Sequence, residues 1–125
     1  MFIHQPPIND LPLLKAKNVD GKRFYEHQET KEVYPSITSV LSIRQSEGLK
    51  QWRDKVGNDV ANHVMIQAAN RGTAVHNMVE DYLNNLDLDQ IEKHKKKFLA
   101  RMMFNVLKPE LSKINNIRLQ EAQMF

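Results

Sequence analysis

The sequence predicts a predominantly helical α+β protein, and three observations carry that reading. Apolar residues recur at three- and four-residue intervals from about position 37 to about 107. Two short β-prone runs stand ahead of them, and a partly alternating run closes the chain.

The bulk properties bound the class. A length of 125 residues favours one domain with a modest core. The hydrophobic share of 41% and charged share of 26% are those of an ordinary soluble globular protein. No apolar run approaches the roughly 18 to 20 residues needed to cross a bilayer. The start, Met1-Phe2-Ile3-His4-Gln5-Pro6-Pro7, lacks the basic and apolar stretches of a secretory signal. The absence of cysteine excludes disulfides and thiolate metal sites, which fits a reducing, cytoplasmic setting. A net charge of +3 permits a polyanionic partner without requiring one.

Each element follows in order. Residues 1–20 hold three of the five prolines and are expected to form an irregular arm, pinned by Leu11, Leu13 and Leu14. Residues 21–125 then read as one portion of a domain: a hairpin, about four helices and a final strand. Arg23-Phe24-Tyr25-Glu26 and Glu32-Val33-Tyr34 flank the polar stretch 27–31 and predict the hairpin. Pro35-Ser36 predicts a helix start, with Ser36 capping the first turn ahead of Ile37, Val40 and Leu41. A second helix is expected from Glu47 to about Ala69, with Leu49, Trp52, Val56, Val60 and Val64 on one side and Gly57 breaking or kinking it. Gly72 is expected to end that helix and Thr73 to open a third through Leu83. Asn84, Asn85, Asp87 and Asp89 read as a polar turn. A long helix over about 89–107 is predicted from Ile91, Phe98, Met102 and Leu107, with Pro109 either kinking or ending it. The tail Ile117 to Phe125 reads as a strand. With no neighbour, its edge would need a partner from this hairpin, a second copy or another chain.

The sharpest local feature is Arg71-Gly72-Thr73-Ala74-Val75-His76-Asn77-Met78-Val79-Glu80. His76 and Glu80 are four apart, so one helix face carries both. An imidazole and a carboxylate placed so can share a divalent cation or orient one another. Spacing alone equally describes a surface histidine near an acid. Lys93, His94, Lys95, Lys96, Lys97 and Arg101 make a basic stripe, readable as a nucleic-acid contact or as a solvated helix face. Trp52, Met102 and Met103 beside Phe104 read as packing. His4, His27 and His63 have no ligand-like companions. Asp20 with Glu29-Thr30-Lys31 imitates an Asp, spacer, Glu-x-Lys pattern, but in a polar turn where a core strand would be needed.

The ordered set Tyr34-Pro35-Ser36-Ile37-Thr38-Ser39-Val40-Leu41, then Trp52, then Gly72-Thr73-Ala74-Val75-His76 and Glu80 resembles the start of RecB-like exonucleases of the PD-(D/E)XK superfamily. It is similar in particular to the mitochondrial genome maintenance exonucleases and their phage-encoded relatives, over about Arg23 to Phe125. The resemblance implies the N-terminal half of a restriction-endonuclease-like fold with an incomplete core sheet. It implies a DNA exonuclease subunit or fragment in the cytoplasm, phage-encoded within a bacterial host. His76 matches the motif histidine at the metal, and Glu80 the acid one turn later. Glu121 matches a glutamate facing the same cleft. Ser36 and Thr38 match a phosphate-contacting segment, and Arg71, Lys95 and Lys96 are the cations expected on DNA. The family's later aspartate and Asp-x-Lys pair have no match up to Phe125. The resemblance therefore implies Mg²⁺ or Mn²⁺ only in a completed site, whose C-terminal half comes from a second polypeptide. A catalytically inactive DNA-binding or regulatory derivative is the alternative, and a plain helical interaction domain a third.

Overall fold

The computed structural model describes residues 1–7, 11–44 and 47–122. The architecture is α+β, with a small antiparallel sheet and a larger helical part. It divides into two compact units, Asn9–Gly57 with Ala122–Phe125, and Met1–Ile8 with Asn58–Glu121.

The first unit holds the sheet, β1 (Leu14–Val19), β2 (Lys22–His27) and β3 (Val33–Pro35), paired in that order. β1 corrects the expectation of an irregular arm through residue 20. Asp20 and Gly21 both adopt positive φ, 50° and 74°, and join β1 to β2 with Val19 opposite Lys22. Two consecutive left-handed residues give the turn whose twist matches paired strands, and Asp-Gly is a preferred sequence for it. A Lys17–Glu26 ion pair crosses the β1–β2 ladder. β2 and β3 reproduce the predicted hairpin, with Tyr25 opposite Tyr34.

Helix α1 (Ile37–Leu41) starts as predicted, with the Ser36 hydroxyl accepting the Ser39 amide at 3.1 Å. Helix α2 (Glu47–Val56) carries Trp52 and Val56 half-buried and Leu49 exposed, so Trp52 is not a core residue. Gly57 ends the helix at φ +88°, a conformation that costs a side-chain-bearing residue about 1 kcal/mol or more.

The second unit is helical. Helix α3 (Asn58–Leu83) runs unbroken through Gly72 and Thr73, which corrects the predicted boundary there. Once a helix is nucleated each added residue contributes one hydrogen bond, and a single glycine costs only about 1 kcal/mol against alanine. A 3₁₀ turn (Leu88–Gln90), a short α4 (Glu92–Lys95) and α5 (Phe98–Leu111) follow. The single long helix predicted for 89–107 is therefore divided at Lys96 and Lys97, where Lys97 is non-helical at φ −102°, ψ 62°. This bend lets Ile91 pack on the core while His94 reaches Asp81, demands that override the helical preference of the lysine run.

The core joins Met78, Leu88, Ala100 and Phe104, with Val75, Tyr82, Ile91 and Leu111 packed against it. On α5 the packed face is thus Ala100, Phe104 and Leu111. The predicted face of Phe98, Met102 and Leu107 is exposed, as is Met103. Apolar spacing was read correctly as helical but assigned to the wrong side, because α5 carries more apolar residues than one face can hold. Tyr82 stands edge-on to both Phe104 and Phe2, with ring centroids 5.5 and 5.0 Å apart. The N-terminal residues are tied in by Phe2–Asn85 and by the His4 ring on the Leu83 carbonyl at 2.7 Å. Ile117 exchanges backbone hydrogen bonds with Ile3 and Gln5, both 2.8 Å. That single bridge replaces the final strand expected over 117–122, and 123–125 lie outside the described residues. The edge from which pairing with a second chain was expected is therefore not formed over 117–122. No helix among the described residues is long and apolar enough to cross a membrane.

Candidate functional site

Helix α3 places His76 and Glu80 one turn apart, and the returning segment after α5 brings in Glu121. The His76 imidazole Nδ1 lies 3.0 Å from Glu121 Oε1, with both side chains open to solvent at 70% and 52% exposure. Two positions 45 residues apart, both singled out in the sequence, therefore meet. Glu121 is held at φ 53°, a left-handed conformation that a non-glycine residue adopts at a cost of about 1–2 kcal/mol. Its neighbour Gln120 anchors the segment, donating from Nε2 to the Glu80 backbone carbonyl at 2.8 Å. Gln120 Oε1 is buried without a donor.

Glu80 joins this corner through its backbone. Its carboxylate makes no hydrogen bond or ion pair among the described residues. A contact between an imidazole nitrogen and a carboxylate oxygen can pass a proton or present one N and one O to a cation. Among the described residues no three histidine, aspartate or glutamate side chains converge on a point that could hold a metal ion. The residues present do not by themselves fit a Mg²⁺ or Mn²⁺ site, which wants several oxygen ligands, so no metal-assisted step is assigned to them.

The remaining predicted positions separate. Ser36 is buried and its hydroxyl is committed to Ser39 and Thr38, which makes it a cap. Thr38 is exposed and lines a shallow cleft with Lys22, Arg23 and Ser42. Lys95 and Lys96 both approach Glu92, at 3.5 and 3.9 Å. Arg101 binds Asp89 at 2.6 Å. The predicted basic stripe is thus largely neutralised by its own neighbours. Arg71, half-buried on α3, has no such partner among the described residues.

Sequence reasoning missed one pair entirely. His94, counted in the basic stripe, is 2% exposed and its Nε2 lies 2.7 Å from Asp81 Oδ2, itself 16% exposed. Lys93 Nζ reaches the same oxygen at 3.1 Å. Burial pushes the Asp81 carboxyl up, but the hydrogen bonds from His94 and Lys93 outweigh it and hold it below the usual aspartate value. The available signal was the three-residue spacing from Ile91, which puts His94 on the inward side of its turn.

Neither a protein-family model, a curated protein nor a solved structure matches the chain.

Proposed function

We propose that this chain is the helical half of a metal-dependent DNA exonuclease with a restriction-endonuclease-like fold, and that the open His76–Glu121 pair marks the rim of its catalytic cleft. The carrying observation is the 3.0 Å contact between two solvent-facing side chains far apart in sequence. The buried His94–Asp81 pair serves packing, whereas the solvent-facing imidazole beside a glutamate held at positive φ leaves both groups within reach of a ligand. In this reading the pair contributes one edge of the site. Further carboxylates and a lysine that residues 1–125 do not supply complete the site, and Mg²⁺ or Mn²⁺ binds only when both sets are present.

The alternative reading is a catalytically inactive DNA-binding or regulatory protein. End-labelled single- and double-stranded DNA with Mg²⁺ or Mn²⁺ separates the two. The chain is assayed alone and mixed with a polypeptide carrying an aspartate strand and an Asp-x-Lys strand. Cleavage only in the mixture is expected. Retention of DNA without cleavage in any mixture would move the assignment to the binding protein.

A further inference from the structure

The helical unit places nine lysines and arginines between Asn58 and Glu121. Lys93, Lys95, Lys96, Arg101 and Lys113 each meet a carboxylate. Lys108 lies over the Tyr82 ring, and Arg118 donates to the Pro6 carbonyl. Among the described residues that leaves two cations without acid, ring or carbonyl, Arg71 on α3 and Lys97 before α5. Both line the same open cleft of about 240 Å³. No acidic residue lines it. Gln67 and Asn70 add amide donors from α3, and at its border Phe98 holds its ring 77% exposed.

Two uncompensated cations converging on one hollow repel each other, and a stable fold relieves that with an acid or an anion. Every other cation of the unit was given a partner from within it. A flat, exposed aromatic ring next to paired cations is the combination that binds a nucleotide, charge on the phosphate and ring on the base. We propose that this cleft grips single-stranded nucleic acid, with Arg71 and Lys97 on backbone phosphate, Gln67 and Asn70 on adjoining oxygens, and Phe98 stacked on a neighbouring base. The inference deepens the DNA reading above, on which it rests for the class of polymer, but it does not involve the His76–Glu121 pair.

The test is fluorescence anisotropy of a labelled oligothymidylate with the intact chain across a salt series. R71Q/K97Q is expected to weaken binding at least tenfold and to flatten the dependence of log affinity on log salt by about 1 for each cation removed. F98A is expected to weaken it by about tenfold through lost stacking. R71K should retain most of the affinity, and K113A, which removes a cation already paired with Glu110, should leave it unchanged. Thymidine monophosphate should compete better than inorganic phosphate. Unchanged affinity and salt slope in R71Q/K97Q would overturn the cleft, and so would a parent chain that binds no strand. Equal competition by inorganic phosphate, with F98A unaffected, would overturn the nucleic-acid assignment in favour of a bare anion site. Cleavage in the two-polypeptide mixture despite full binding by R71Q/K97Q would sink the cleft and leave the nuclease reading. Binding through the cleft without cleavage in any mixture would do the reverse.

Discussion

His94 and His76 each meet a carboxylate within the helical unit, and α3 contributes to both pairs. The distances are nearly the same, 2.7 and 3.0 Å, yet the exposures are opposite: 2% and 16% for His94 and Asp81, 70% and 52% for His76 and Glu121. In the closed pair the low dielectric strengthens the interaction and makes either partner costly to strand. In the open pair water competes for both groups, so the contact contributes little to stability and both atoms stay available to a ligand. Contact geometry alone does not distinguish the two pairs; burial does.

Three stability measurements test that contrast, the largest effect first. Phe104→Ala empties the centre of the core beneath α3 and α5 and should cost about 3–5 kcal/mol in denaturant unfolding. His94→Ala leaves a half-buried carboxylate with Lys93 as its one remaining ion-pair partner and opens a hole, for about 2–3 kcal/mol. His76→Ala should fall within about 0.5 kcal/mol of the parent. A loss near that of His94→Ala would erase the distinction.

Acid adds a readout specific to the closed pair. The folded Asp81 carboxyl sits below its usual value, so its stabilising share is complete above the unfolded value of about 3.9 and is lost as pH falls through the lower folded value. Asp81→Asn should flatten that part of the acid-unfolding curve, while Glu121→Gln leaves it unchanged.

The glycine that ends α2 and the glycine within α3 give small effects of opposite sign. Gly57→Ala places a side chain at φ +88° and should destabilise by about 1 kcal/mol. Gly72→Ala, in open space within α3, should stabilise by about 0.5–1 kcal/mol. Melting temperatures of both variants check the signs.

Much of the local structure was legible because it depends on nearby residues. Ser36 as a cap, the stop at Gly57 and the β2–β3 hairpin each follow from short-range chemistry. Strand β1 was also legible in principle, since Asp20-Gly21 is a hairpin signal. Its residues alternate only over Leu14-Lys15-Ala16-Lys17, and all but Leu14 are exposed, so no buried face advertised it. The division of 89–107 was not legible, because it answers to Asp81 and the core across the unit. The same holds for the site. His76 and Glu80 declared themselves by spacing, but that Glu121 and not the Glu80 carboxylate would meet the imidazole depends on how Gln120 locks the returning segment to α3. The commitment of Lys95, Lys96 and Arg101 to neighbouring acids needed coordinates too, since one-dimensional charge patterns do not reveal which cations remain uncompensated.

The most direct test of the open pair is DNA cleavage by the two-polypeptide mixture with His76→Ala and Glu121→Gln, each matched to the parent in melting temperature. Both variants are expected to fold as the parent does and to lose cleavage by at least a hundredfold. Parent-like cleavage in either variant would contradict the assignment of the pair to the catalytic cleft.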